Sequence, residues 1–230
     1  MKTIGILGGM SAASTQTYYR TLCDLTRARL GGLHSPELLI RSIDFAPIAA
    51  LQAAGDWEAA AAILNLHAKA LQSGGAEVLL LATNTMHKLA EPMMHGVTLP
   101  LLHIAEATAA RIARAGLKSP GLMATAFTMQ ESFYTDKLRA AGLTPILPNV
   151  DDRNTIHRII YEELCRDIIM PDSRACYEAI AQRLAANGAD CLILGCTEIG
   201  MLLSQSNVSV PVFDTTLIHC EAALDLALTQ

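Results

Sequence analysis

The sequence predicts an α/β protein made of two similar parallel-sheet halves, on three observations. A fragment occurs twice: Gly75-Ala76-Glu77-Val78-Leu79-Leu80-Leu81-Ala82-Thr83-Asn84 returns as Gly188-Ala189-Asp190-Cys191-Leu192-Ile193-Leu194-Gly195-Cys196-Thr197. Each copy reads as a helix stop, a buried apolar strand and then small polar residues, the order found at the carboxyl mouth of a parallel sheet. Two shorter matches fall in the same order at nearly the same spacing: Gly5-Ile6-Leu7-Gly8-Gly9 with Gly121-Leu122-Met123-Ala124-Thr125, and Pro100-Leu101-Leu102-His103 with Pro211-Val212-Phe213-Asp214. Internal similarity at so long a period indicates duplicated domains, not a solenoid of short repeats. Finally, strand-like and helix-like segments alternate along the whole chain.

Taken in order, 3–7 reads as a strand, followed by the Gly8-Gly9-Met10-Ser11 loop and a helix to about Leu30. A second strand spans 37–43, ending near Asp44-Phe45, and 57–73 has helical spacing of Ala, Ile and Leu closed by Gly74-Gly75. Strands follow at 78–82 and 97–102, then a helix at 105–115 ending at Gly116. The second half repeats the pattern: strand 121–124, helix 130–141, strand 145–147, helices 154–165 and 172–187, strands 191–194 and 210–213, and helix 217–228. With no low-complexity linker, the expected division is 1–104 plus 208–230 against 105–207, with the active site in the cleft between the two domains.

Composition narrows the function. A chain of 230 residues that is 51% hydrophobic and 17% charged can bury a substantial core, as one large domain or two of about 100 to 120 residues. Its net charge of −5, with no more than two basic residues adjacent, argues against nucleic acid or an anionic membrane as partner. No apolar run approaches the roughly 18 residues that span a bilayer. Met1-Lys2-Thr3-Ile4-Gly5 enters a strand without a signal-peptide pattern, so a cytoplasmic location is expected. Six cysteines without a CxxC pair read as reduced, five of them as small buried apolar residues. Cys196 differs, because it closes a strand and precedes Thr197-Glu198. The seven histidines lack H-E-x-x-H or comparable spacing, so no metal is expected.

The Gly8-Gly9 loop satisfies neither the G-x-G-x-x-G nor the Walker pattern. Its physical content is narrower: amides at a helix start can receive a small anion such as a carboxylate.

Together, Gly8-Gly9-Met10-Ser11, Thr83-Asn84-Thr85-Met86-His87-Lys88 and Gly195-Cys196-Thr197-Glu198-Ile199-Gly200 resemble the aspartate/glutamate racemase family, closest to its bacterial L-aspartate/glutamate-specific members. The likeness runs the length of the chain and includes Leu30-Gly31-Gly32-Leu33-His34-Ser35. It implies two α/β domains related by a pseudo-twofold, homodimers, an acidic amino acid as substrate, and racemisation without pyridoxal phosphate, metal or other cofactor. Two residues facing each other across the substrate exchange its α-proton.

Family members typically place a cysteine on each side. Here Cys196 matches the second, while Ala82-Thr83 stands where the first is found. The repeat aligns Thr83 with Cys196, so Thr83 is the expected opposing group; as an alternative it only hydrogen-bonds the substrate. The family assigns the L-enantiomer to the second cysteine. A thiol near pKa 8.5, lowered at a helix start, gives an accessible thiolate, whereas a threonine hydroxyl is a poor base that can still donate to a carbanion. Met10, Ser11, Asn84, Thr85, Thr125, Thr128 and Thr197 follow strands or start helices, where backbone and hydroxyl groups can hold carboxylates and an ammonium, although helix capping also explains Ser and Thr there. Gln52 is a contact the resemblance implies. Arg41, Lys88 and Arg166 are open choices for the side-chain carboxylate, and His87 and His103 read as structural. Two other readings fit a single thiol: a decarboxylase of the same superfamily, and a catalytically silent amino-acid-binding protein.

Overall fold

The computed structural model describes residues 1–229, and these fall into two compact units. One comprises Met1–His103 with the C-terminal stretch from His219, and the other Ile104–Ile218.

The first unit holds β1 (Ile4–Gly8), α1 (Ala12–Leu30), β2 (Leu38–Ser42), α2 (Phe45–Ala54), α3 (Trp57–Ser73), β3 (Val78–Leu81), a 3-10 turn at Thr85–Leu89, α4 (Ala90–Met93) and β4 (Leu101–Leu102). Its four strands are all parallel, in the order β2-β1-β3-β4. β1 and β3 are buried throughout, as unbroken apolar strands covered on both faces must be. Alternation divides their side chains. Leu7, Leu79 and Leu81 pack with Ala60, Leu64, Ala68 and Leu71 of α3, while Ile4, Ile6, Val78, Leu80 and Ala82 pack with Tyr18 and Leu22 of α1 and with Cys220, Ala223 and Ala227 near the C-terminus.

The second unit holds α5 (Ile104–Arg114), β5 (Pro120–Ala124), α6 (Ala126–Gln130), α7 (Ser132–Ala140), α8 (Val150–Glu162), a 3-10 turn at Leu164–Arg166, α9 (Pro171–Ala186), β6 (Cys191–Gly195), 3-10 turns at Ile199–Met201 and Gln205–Asn207, and β7 (Val212–Asp214). Its sheet is parallel in the order β5-β6-β7, and the chain stays in this unit as far as Ile218. The last helix, α10 (Thr215–Leu228), begins here and continues into the first unit.

Several elements differ from the sequence expectation, each for a local reason. α2 was not anticipated: Asp44 Oδ1 accepts from Ala46 N at 3.1 Å, Pro47 sits in the first turn where its missing amide costs nothing, and Gly55 ends the helix in the left-handed region. Only Leu101 and Leu102 of the expected 97–102 strand pair with β3. The expected 145–147 strand is reduced to one bridge between Gly121 and Ile146, because Pro145 and Pro148 on either side of Ile146-Leu147 have no amide to donate. The 130–141 helix is divided by the extended backbone of Glu131 into α6 and α7. The 154–165 helix starts earlier, where Asn149 caps it by accepting from Asp152 N at 2.9 Å.

The duplication extends to hydrogen bonds and packing inside each unit. In the first, Leu7 pairs with Leu81 and Leu80 with Leu102; in the second, Met123 pairs with Leu194 and Ile193 with Phe213. These are the partners that the internal sequence match requires. Glu77 N bonds Thr3 O at 2.8 Å, as Asp190 N bonds Ser119 O at 3.0 Å, and each acidic side chain returns to the same neighbour's amide. A Cβ on Gly5 would lie 2.7 Å from Ala76 Cβ, and one on Gly121 would lie 3.2 Å from Ala189 Cβ, so the same small pair brings strand and loop together twice. With this register, the residue two beyond Leu81 is Thr83 and the residue two beyond Leu194 is Cys196.

Candidate active site

In the first unit the site residues gather at the carboxyl edge of the sheet. Because β1 and β3 are neighbours in register, Gly9-Met10-Ser11 and Thr83-Asn84-Thr85 leave the sheet side by side, tied by Ser14 Oγ donating to Ala82 O at 3.1 Å. The β1–α1 turn is tightly built. Gly9 has φ +93, and a Cβ there would lie 2.1 Å from Ile43 O, so no other residue fits. Its amide donates to Thr15 Oγ1 at 2.7 Å and is therefore unavailable to a ligand. Ser11 Oγ caps α1 by accepting from Ser14 N at 3.2 Å. Met10 belongs to the core on the α3 side, which accounts for its side chain by packing alone. Gln52 is buried in α2, and its Oε1 has no hydrogen-bond partner among the described residues.

Thr83 is 8% exposed, and behind it lies a histidine network. His87 Nδ1 donates to Thr83 O at 2.7 Å, and its ring is 4.5 Å from that of His103 and 5.9 Å from that of His219. Tyr18 donates its hydroxyl to His219 Nδ1 at 2.8 Å, and His219 Nε2 donates to Leu102 O at 2.8 Å. Burial pushes His87 down to about 3, helped by His103, and burial does the same to His219, helped by His87. His219 has both ring nitrogens engaged and His87 holds the Thr83 carbonyl, so these two neutral rings help to fix the turn that carries Thr83.

In the second unit, Ala124 pairs with Gly195, so Thr125 and Cys196 step off adjacent strands together. Thr125 caps α6, and its Oγ1 lies 3.2 Å from Thr128 Oγ1; Thr128 is fully buried, so capping and packing account for both hydroxyls. Cys196 Sγ donates to Glu198 Oε2 at 2.9 Å, and Thr197 Oγ1 donates to the same oxygen at 2.7 Å. Glu198 is 3% exposed. The sequence reading gave this carboxylate no role, although it stands inside the motif. The expected low thiol pKa is also corrected. Burial first, then the Glu198 charge and Cys165, push the Cys196 thiol well above its ordinary value. No α-helix starts after Cys196 to oppose this, only the 3-10 turn at Ile199–Met201. Cys165 is itself pushed up to about 12 by burial and by Glu198.

The three candidate cations differ in their engagements. Arg41 Nε donates to His67 Nδ1 at 3.1 Å, and Lys88 Nζ sits 3.8 Å from the centre of the Trp57 ring. Arg166 is exposed in the 3-10 turn that also carries Cys165, and has no ion-pair partner among the described residues. No group of three or more His, Cys, Asp or Glu among the described residues is placed to hold a metal. No helix among the described residues is long and apolar enough to cross a membrane.

Residues 7–223 match the family model described as Asp/Glu/Hydantoin racemase. The broad specificity amino-acid racemase RacX of Bacillus subtilis (strain 168) is 24% identical over 224 residues, covering 93% of this chain and 92% of that protein. A crystal structure of a candidate Asp/Glu racemase from Yersinia pestis is 47% identical with a TM-score of 0.92, each chain covered completely. An aspartate racemase homologue from Pyrococcus horikoshii OT3 is 34% identical with a TM-score of 0.86, again over the whole of both chains.

Proposed function

The chain belongs to the Asp/Glu/hydantoin racemase family and is an amino-acid racemase, and from that premise we propose that it racemises aspartate or glutamate without a cofactor, using Cys196 and Thr83 to exchange the α-proton. The observation that carries the assignment of the two groups is the shared strand register, which puts Thr83 and Cys196 at the same step beyond equivalent strands of two related units.

In this reading Cys196 removes the α-proton of the L-enantiomer and Thr83 donates to the opposite face of the carbanion. The direction follows from basicity. Each pKa unit of mismatch between base and α-carbon adds about 1.36 kcal/mol, and a threonine hydroxyl is a far weaker base than a thiolate. Because a racemisation has an equilibrium constant of one, kcat/KM must still be equal in the two directions; a poor base at 83 therefore slows both.

Substrate polar groups would meet the amides and hydroxyls of Ser11, Asn84, Thr85 and Thr197, and the unpartnered amide oxygen of Gln52 suits an ammonium. Of the three cations, Arg166 is free of the engagements that hold Arg41 and Lys88, and it shares a turn with Cys165, whose titration responds to Glu198. We assign the substrate's side-chain carboxylate to it; Arg166→Ala then raises KM for aspartate and glutamate more than it lowers kcat. The protein is read as a homodimer in the cytoplasm, and light scattering should give twice the 24.6 kDa of one chain.

The test is Cys196→Ala. It should abolish incorporation of solvent deuterium at Cα while leaving the melting temperature within a few degrees; a folded variant that still exchanges would remove Cys196 from the chemistry.

A further inference from the structure

Where α3 faces α4, within the first unit, there is a cavity of about 650 Å³, a size ordinary for a small-molecule site. None of the residues assigned above to proton exchange or to the substrate lines it. Its floor is apolar, since Ala61 and Leu89 line it and are only 6% and 4% exposed. Trp57 gives it an aromatic wall, and Lys88 Nζ steadies that ring from 3.8 Å above its centre. The facing wall is tied to α3 by Asn65, whose Nδ2 donates to Met93 O at 2.6 Å and to His95 O at 2.8 Å. The walls are thus held by the protein itself, which lowers the ordering cost of binding.

The formal charges that line the cavity have one sign. Glu58 from α3 and Glu91 from α4 are exposed carboxylates, neither of them in an ion pair with a described residue, and no lysine or arginine among the described residues lines it. With its NH2 spent on two carbonyls, Asn65 offers a ligand its amide oxygen, a further acceptor. His95 also lines the cavity and is exposed. A dicarboxylate is repelled by such a lining, and a bare hydrated cation gains nothing from the apolar floor. What matches both is an ammonium joined to an apolar body.

We propose that this cavity is a binding site for a small organic amine in its ammonium form, separate from the racemase site. The apolar body lies over Ala61 and Leu89 beside Trp57, and the ammonium meets the carboxylates of Glu58 and Glu91. The acidic substrate of the racemase is excluded by charge.

Trp57 is the single tryptophan of the chain, so its fluorescence reports on this cavity alone. The probe is phenethylamine, with phenethyl alcohol and phenylacetate as neutral and anionic compounds of nearly the same shape and methylammonium as the charge without the body. Phenethylamine should change the Trp57 emission saturably and bind about tenfold more tightly than phenethyl alcohol. Phenylacetate, L-aspartate and methylammonium should neither bind nor compete at the same concentration. Glu58→Gln and Glu91→Gln should each weaken phenethylamine about threefold, the modest effect expected of exposed charges. Glu58→Lys combined with Glu91→Lys should reverse the preference, so that phenylacetate binds better than phenethylamine. Ala62→Phe, which places a ring in the cavity from an exposed position of α3, should abolish binding as read by calorimetry.

Equal binding of amine and alcohol overturns the proposal, as does phenethylamine binding that survives the double charge reversal. Methylammonium binding as well as phenethylamine would show a counterion effect and overturn it too, and so would the lack of any saturable signal at about 10 mM probe, weaker than a millimolar site. If Ala62→Phe does not fold, the charge-reversed variant, altered only at exposed positions, still decides. Failure here leaves the racemase reading standing, because deuterium exchange at Cα tests that reading on other residues.

Discussion

At the scale of single residues, the proposed mechanism turns on the difference between a thiol, Cys196, and a hydroxyl, Thr83. Cys196 has a carboxylate within hydrogen-bond reach and Thr83 has the His87 ring on its carbonyl, and in the proposed reading only the first becomes a base. Thr83→Cys should therefore raise turnover of D-aspartate or D-glutamate, because a thiolate can then attack from that side. Thr83→Ala should cut racemisation while leaving some exchange of the L-enantiomer through Cys196. Ala82→Cys should help less, since Ala82 belongs to the core packed against α1 and successive residues point to opposite faces. If instead Ala82→Cys activates and Thr83→Cys does not, Thr83 is a substrate contact and the repeat has been aligned one residue off. Chiral chromatography of both reaction directions makes the comparison.

At the scale of elements, the sheets were the most legible part of the sequence, because strands such as Val78–Leu81 and Cys191–Gly195 are unbroken apolar runs bounded by glycine. Their pairing came from the structure, where the two sheets repeat the same partners. Short, locally determined elements were not: α2 depends on Asp44, Pro47 and Gly55 acting together, and Ile146 sits in an apolar run whose flanking prolines keep it from becoming a strand. The candidate positions at strand ends could be named from the sequence, but the hydrogen bond between Cys196 and Glu198 could not, because it needs the Glu198 side chain to turn back onto Cys196, which spacing does not reveal. Gly9 marks the element most sensitive to substitution. Gly9→Ala meets both a positive φ and the Ile43 backbone, and should destabilise by about 2 kcal/mol or more. Urea unfolding measures it; an unchanged midpoint would mean that the β1–α1 turn can relax.

At the scale of the whole molecule, the buried histidines tie stability to pH. His87 and His219 titrate near 3 when folded and near 6.5 when unfolded, because burial opposes the charged ring. The unfolded chain therefore binds more protons between those values, so stability is undiminished above about pH 6.5 and falls as the pH drops towards 3. His219→Gln should flatten this loss in melts taken from pH 7.5 down to 5, and an unchanged slope would show that other groups set it. The central claim is that one thiol from one unit and one hydroxyl from the other move an α-proton in two related halves of a racemase. It is tested most directly by following Cα deuterium incorporation together with chiral inversion for L-aspartate and L-glutamate in deuterium oxide. Wild type should incorporate deuterium and form the D-enantiomer, Thr83→Ala should incorporate deuterium with little inversion, and Cys196→Ala should do neither. Inversion undiminished in Thr83→Ala, or exchange persisting in folded Cys196→Ala, would contradict it.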